Sequence, residues 1–173
     1  VAGRTVENED LVNFPNWLSL NFRIAEQDWF DARRVKILSY RQDLDLARGL
    51  LLKDVRFEDG AGRRTRLRER RLVSMNDKHL AALEVRLTAE NWAETVTVRS
   101  AIDGRVVNSG ARLYREFNSR HLVPQDADTV GGDGVYLQVK PRQSNQHVGQ
   151  AARTRAWLDG RLVDVRRRLI EEP

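Results

Sequence analysis

Three Asp-Gly turns constrain this chain more than any other feature. Asp59-Gly60 (extended by Ala61-Gly62), Asp103-Gly104 and Asp159-Gly160 each stand between short runs of aliphatic, β-branched and aromatic residues. Asp and Gly tolerate the positive φ angles that tight hairpins require, so the dipeptide between two such runs signals a reversal of an antiparallel pair. The flanking runs are Leu51–Phe57 and Thr65–Met75 for the first turn, Val96–Ile102 and Arg105–Val107 for the second, and Ala156–Leu158 and Arg161–Val163 for the third. Further strands are expected at Trp17–Ile24, where Leu18, Leu20, Phe22 and Ile24 alternate with polar or amphipathic residues, and at Val35–Tyr40, His79–Thr88 and Val135–Val139. Leu80, Leu83 and Leu87 also fall at helical spacing, but Leu83, Val85 and Leu87 alternate, and the neighbours are strands. One helix is expected, over Val163–Glu172, and one loop, over Pro124–Gly134. The fold class that follows is all-β, an antiparallel β-sandwich with long hairpins.

Composition narrows what such a fold does. The 173 residues include no cysteine, which excludes a disulfide framework, a thiolate metal site and a cysteine nucleophile. No apolar run approaches the length needed to cross a bilayer and no signal-peptide pattern opens the chain, so a soluble, cytoplasmic protein is expected. The chain starts at Val1, which suggests a trimmed start. The net charge of +5 comes from 30 basic and 25 acidic residues, with the excess in the middle third. A charge of that size is ordinary for solubility. The heavy preference for arginine over lysine fits a GC-rich genome as well as it fits a binding function.

Candidate sites each have a plain structural explanation. Arg64, Arg66, Arg68 and Arg70 alternate, so a strand places them on one face, where they would either bind phosphates or form a solvated or domain-contact face. No aromatic residues interleave with them, which removes the stacking platform of a single-strand binder and favours the solvated or domain-contact face. His79, His121 and His147 lack any paired spacing for a metal. Asp126-x-Asp128 opens like a calcium loop, but Val130 and Leu137 occupy positions that must supply oxygen ligands. Gly131-Gly132-Asp133-Gly134 lacks the lysine and hydroxyl of a nucleotide-binding loop and reads as a flexible turn. Asp43 and Asp45 would share one strand face, either as interacting acids or as a salt-bridged surface pair. Trp17, Trp29, Trp92 and Trp157 offer sugar-stacking faces or, more ordinarily, core and interface packing. None of these sets amounts to an active site.

A more specific pattern lies in the order of short motifs. They are Asn13-Phe14-Pro15-Asn16-Trp17-Leu18, then Leu38–Leu46 with Gly49, then Arg71–Leu83 containing Ser74-Met75-Asn76-Asp77-Lys78-His79. Leu87-Thr88 with Asn91-Trp92, Ser100-Ala101-Ile102-Asp103-Gly104 and Ala151-Ala152-Arg153-Thr154-Arg155 follow. From about Asn13 to Arg155 this string resembles the N-terminal domain of glycoside hydrolase family 65, the maltose, trehalose and kojibiose phosphorylases and their hydrolase relatives.

The resemblance implies a super-sandwich like that of galactose mutarotase, packed in the family against an (α/α)6 barrel that carries the chemistry. There an acid protonates the glycosidic oxygen while phosphate, or water activated by a carboxylate, attacks the anomeric carbon with inversion. None of the barrel's motifs occurs in this chain, so no catalytic, cofactor-binding or metal-binding residue is assigned to it. The family's sandwich is longer than 173 residues, so the chain is expected to be a partial domain, with a dimer or a strand exchange in isolation. Arg71, Asp77 and His79 are expected to organise a turn rather than hold sugar. The implied role is non-catalytic: bracing the barrel and supporting dimerisation. Its rivals are a free-standing carbohydrate-binding module using exposed tryptophans, and a basic nucleic-acid binder using the Arg64–Arg70 row with steeply salt-dependent affinity.

Overall fold

The computed structural model describes residues 11–108 and 119–164, and among them there are eleven strands and no helix. In chain order these are β1 (Asn16–Ile24), β2 (Lys36–Asp45), β3 (Leu50–Glu58), β4 (Arg64–Val73), β5 (Ala81–Ala89), β6 (Val96–Asp103), β7 (Leu122–Val130), β8 (Gly134–Pro141), β9 (Val148–Arg153), β10 (Ala156–Leu158) and β11 (Arg161–Val163). They form a four-stranded sheet in the order β2-β3-β4-β5, a three-stranded sheet β7-β8-β9, and the two-stranded pairs β1-β6 and β10-β11. The four-stranded and three-stranded sheets and the β10-β11 pair are antiparallel throughout. The described residues divide into two compact units: residues 21–99 form one, and residues 11–20, 100–108 and 119–164 form the other.

In the first unit the alternation seen in the sequence becomes a two-faced sheet. Along β4, Thr65 and Leu67 are buried while Arg64, Arg66, Arg68 and Arg70 are exposed. The inward side chains meet Val55 and Phe57 of β3 and Phe22 and Ile24 of β1, with Phe30, Val35, Val85, Leu87, Trp92 and Val96 packed around them. Phe57 belongs to an aromatic group in which Phe30 is the nearest ring to both others: Phe30 lies 4.8 Å from Phe57 and stacks on Phe22 at 5.0 Å, while Phe57 and Phe22 are 6.4 Å apart. Such contacts add to the burial of apolar area. In the second unit Val139 of β8 is fully buried and Leu122 of β7 nearly so.

The first and third Asp-Gly turns are the hairpins the sequence predicts. Asp59 joins β3 to β4, its carboxylate accepting from the Ala61 and Arg63 amides at 2.9 and 3.1 Å, with Gly62 at φ 77°. Asp159 and Gly160 join β10 to β11 with φ 49° and 79°, the two successive positive values of a type I′ turn. The second Asp-Gly is different. β6 ends at Asp103, and no strand forms at Arg105–Val107. Here glycine serves close approach rather than a reversal: a Cβ on Gly104 would lie 2.9 Å from Leu137 Cδ2.

Two other expectations change. Pro124–Gly134 is not a loop: most of it is β7, and only residues 131–133 form the turn into β8. β7 is an edge strand exposed from Pro124 to Val130, so its carboxylates reach water, and Pro124 sits at a register shift where a missing N–H is tolerated. β9 was not expected, since Val-Gly-Gln-Ala-Ala-Arg has little intrinsic strand preference. The helix expected over Val163–Glu172 lies outside the described residues from position 165 onward, and Val163 itself ends β11.

Candidate functional site

The arginine row of β4 lies within a lattice of opposite charges. Strand register sets Arg64 beside Glu58, Arg68 between Asp54 and Arg86, and Arg70 beside Glu84. Arg66 reaches along the sheet to Asp54, donating from Nε at 2.9 Å and Nη2 at 2.6 Å, and Arg70 donates to Glu84. Arg64 approaches Glu58 at 3.8 Å, and Arg56 of β3 donates to Glu90 at 2.6 Å. A phosphate arriving at Arg64, Arg66 or Arg70 must therefore compete with a carboxylate already present. The geometry is that of a solvated, ion-paired face.

These pairs hold several carboxyls below their ordinary range. Arg66 lowers Asp54 through its hydrogen bonds and charge, aided by Arg68 and Arg41; Arg56 lowers Glu90; and Arg105 lowers Asp103. Asp31, between β1 and β2, is lowered to about 2 by the Arg33 side chain and amide. Each folded-state pKa lies below its unfolded value, so the associated stability is present above roughly pH 4 and is lost as the carboxyls protonate in the folded state. Stability measured by urea denaturation is expected to decline from about pH 4 downward, with the Asp31→Asn variant losing part of that dependence near its lower end.

The other sequence candidates do not converge. Asp43 and Asp45 do share a face of β2, but Asp43 accepts from Arg41 Nε at 2.6 Å and Asp45 from the Arg48 amide at 3.0 Å, so each faces its own arginine. Among the described residues no group of three or more His, Asp or Glu side chains is placed to hold a metal ion. His121 has both ring nitrogens against carbonyl oxygens, Ser119 at 3.0 Å and Asn13 at 2.7 Å. Asp126 accepts from the Tyr136 hydroxyl, and Asp128 from the Thr129 amide. Three tryptophans are half-buried. Trp29 lies under the guanidinium groups of Arg23 and Arg99, at 5.5 and 4.7 Å, beside an open depression of about 550 Å³ lined by Asn21, Asp28, Asp31 and Arg33. Only Trp157 is largely exposed, at 60%, on the β10-β11 hairpin opposite Leu162.

What the motifs do in the fold is structural. Asn91 and Trp92 tie the end of β5 to the β3-β4 hairpin. Asn91 accepts from the Arg64 amide at 2.6 Å and donates to the Gly62 carbonyl at 3.0 Å, while Trp92 Nε1 donates to Arg64 O and Thr65 Oγ1, both at 3.0 Å. Replacing Trp92 by phenylalanine keeps a ring but leaves the fully buried Thr65 hydroxyl without its donor. A loss of about 1–3 kcal/mol in denaturant titrations is expected. Asp77 organises the β4-β5 turn by accepting from the His79 amide at 2.9 Å, and Ser74 Oγ accepts from the Asp77 amide. Arg71 stays out of that turn and donates to Glu69 on its own strand.

In the second unit the motifs containing Ser100 and Thr154 meet, with Thr154 Oγ1 donating to Ser100 Oγ at 2.8 Å. Arg153 and Arg155 grip Asp133 at 2.9 and 3.0 Å, and the Thr154 amide donates to its carbonyl. Asn108 fastens the segment before β1: its Oδ1 accepts from the Asn13 amide and its Nδ2 donates to Leu11 O. Sequence reasoning placed Asp133 only in a flexible turn and passed over Asn108, because their partners lie 20 or more residues away and no local spacing marks them.

Comparison with known proteins bears on these motifs. Residues 1–172 match the family described as glycosyl hydrolase family 65, N-terminal domain. An uncharacterized glycosyl hydrolase of Mycobacterium tuberculosis is 42% identical over 172 residues, which is 99% of this chain and 13% of that protein. A kojibiose phosphorylase of Caldanaerobacter subterraneus subsp. tengcongensis is 26% identical over 93% of this chain and 20% of its own length. An alpha,alpha-trehalose phosphorylase of Thermoanaerobacter brockii is 35% identical over 67% of this chain and 15% of its own. The chain thus spans a fifth or less of these relatives.

Proposed function

Since the chain belongs to the N-terminal domain family of glycosyl hydrolase family 65, we propose that it is the non-catalytic N-terminal β-sandwich portion of a larger enzyme acting on α-linked glucose disaccharides. The observation that carries this reading is the match over residues 1–172 together with the small fraction of each relative that the chain spans. The names of the phosphorylase relatives support a disaccharide such as kojibiose or trehalose, or maltose, as substrate. The bracing role against the catalytic domain follows from the family match and from the small share of the relatives that the chain spans, with the chemistry carried elsewhere in the longer protein. Dimerisation and a cytoplasmic setting complete the reading.

The test is an assay of the protein at its full encoded length with maltose, trehalose and kojibiose, with and without inorganic phosphate. Release of glucose or glucose 1-phosphate is expected, with loss of soluble or active enzyme when residues 1–173 are deleted. An active, well-folded deletion would remove the bracing role, and no reaction with any α-glucoside would remove the substrate class. A second reading, a carbohydrate-binding surface, is favoured by the exposure of Trp157 alone. Quenching of its fluorescence by a maltose series, abolished in Trp157→Ala, would support that reading.

A further inference from the structure

Asp-Gly is the dipeptide at which a polypeptide most readily rearranges, and this chain carries it at Asp59-Gly60, Asp103-Gly104, Asp133-Gly134 and Asp159-Gly160. Glycine has no Cβ, so its amide nitrogen is unhindered and can swing toward the preceding side chain. That nitrogen attacks the aspartate Cγ. The N–Cγ bond forms, the Cγ–O bond of the neutral carboxyl breaks, and its oxygen leaves as water together with the amide proton. Water then opens the five-membered succinimide at the former main-chain carbonyl, breaking that C–N bond and leaving a β-linked isoaspartate. Opening at Cγ restores aspartate. Isoaspartate adds a methylene to the main chain, which disturbs the register of any hairpin that it enters.

Arginine holds the carboxylates of Asp59, Asp103 and Asp133. Asp59 Oδ2 accepts from Arg63 Nε at 2.8 Å, while its Oδ1 takes the Ala61 and Arg63 amides. Asp103 Oδ1 accepts from the Arg105 amide and Nε, both at 3.0 Å. Asp133 accepts from Arg153 Nε at 2.9 Å on Oδ1 and from Arg155 Nε at 3.0 Å on Oδ2. The Asp159 carboxylate has no partner among the described residues, so the dipeptide does not by itself bring an arginine with it. We propose that these arginines are chemical clamps: by keeping the carboxylates of Asp59, Asp103 and Asp133 charged and tied to a guanidinium, they suppress rearrangement to isoaspartate.

The reaction is vulnerable to such a clamp at two points. Attack requires the neutral carboxyl, and a guanidinium beside a carboxylate favours the charged form. Arg105 in this way holds the Asp103 carboxyl below its usual range. The carboxyl must also turn to bring Cγ onto the glycine nitrogen, and that rotation breaks a charge-assisted hydrogen bond. Asp59 depends most on its clamp. A Cβ at Gly60 would meet nothing within 4 Å, so packing leaves that turn open, whereas Gly104 lies beside Leu137 and Gly134 against Val130. The Arg63 and Asp59 side chains are 14% and 16% exposed, so solvent competes little for their contact. Each clamp lies within its own turn or between paired strands, and forms without the remainder of the longer protein.

The test is isoaspartate accumulation in the protein at its full encoded length, read by mass spectrometry of the peptides that carry residues 59, 103 and 133. Native protein is compared with protein unfolded in guanidinium chloride at the same mildly acidic pH and the same temperature. Rearrangement is expected to be slower in the native protein at all three positions. Arg63→Gln is expected to speed it about 10-fold at Asp59, the value of one charge-assisted hydrogen bond, and to leave Asp103 and Asp133 unchanged. Arg105 is more exposed, and Arg105→Gln is expected to give a rise of about 3-fold at Asp103. Arg63 holds Asp59 through a single side-chain nitrogen, so Arg63→Lys is expected to recover most of the protection. The Asp59 and Gly62 amides bond across the turn, and their hydrogen exchange reports whether the hairpin stays closed in each variant. Faster rearrangement at Asp59 with unchanged exchange at these amides supports the clamp. Equal rates in native and unfolded protein would overturn it, as would an Arg63→Gln variant with no rise. A rise matched by lost exchange protection would overturn it too, and would assign the protection to the backbone of the hairpin.

Discussion

Phe57→Ala is expected to lower the stability of the first unit by about 3–5 kcal/mol, the cost of deleting a buried aromatic ring. Phe57 is 1% exposed, and its ring lies against that of Phe30 and near that of Phe22, so the vacated volume is walled by large side chains that cannot easily collapse into it. Above and below it in the sheet, Val55, Thr65 and Leu67 are held in register by ladder hydrogen bonds, which limits backbone relaxation further. Against a total of roughly 5–15 kcal/mol for an ordinary domain, such a loss takes up a large share of the margin. Phe57→Leu keeps most of the volume and is expected to cost less than half as much. The measurement is urea denaturation of the full-length protein, followed by hydrogen exchange at β3 and β4 amides. Protection there should collapse in Phe57→Ala. A change below about 1 kcal/mol would mean that the aromatic group is not the centre of the core.

The parts of the fold that were legible in the sequence are those where local chemistry and tertiary packing agree. Leu51–Phe57 and the run from Thr65 alternate because one face is buried, and Asp59-Gly60 supplies the reversal between them, so pattern and turn point to the same hairpin. Asp103-Gly104 has the same local appearance and does something else, because the packing of the Leu137 side chain beside its glycine is invisible at short range. β7 was hidden for the opposite reason: an exposed edge needs no apolar alternation, and Asp126, Asp128 and Pro124 imitate a loop. The arginine row was correctly placed on one face, but its partners Asp54, Glu58 and Glu84 come from neighbouring strands, so register decides its chemistry. The motifs were legible as a family pattern without being legible as structure. Asn91 and Trp92 are adjacent in the chain, yet their partners Gly62, Arg64 and Thr65 lie nearly 30 residues earlier.

Gly134→Ala is expected to have the largest effect in the second unit. Gly134 opens β8 at the hairpin from β7, paired with Val130 on one side and Arg153 of β9 on the other. A Cβ there would lie 2.5 Å from the Val130 carbonyl oxygen and 3.5 Å from that of Ala152. Backbone, unlike the tip of a side chain, cannot swing aside, so the β7-β8 turn itself has to move, at a cost of about 1–3 kcal/mol. Gly104→Ala is the control: its new methyl would meet Leu137 Cδ2, the end of a side chain that can change rotamer, and the cost is expected to stay below about 1.5 kcal/mol. The displaced turn carries Asp133, which holds Arg153, Arg155 and the Thr154 amide, so the disturbance should spread to β9 and the β10-β11 hairpin. Hydrogen exchange in Gly134→Ala is therefore expected to rise together at β8, β9 and residues 153–158, while Asp133→Asn raises it only at residues 153–158. Equal and small effects from both glycine substitutions would show that the turn gives way freely, and that Asp133 rather than the glycine keeps this end of the sheet in place.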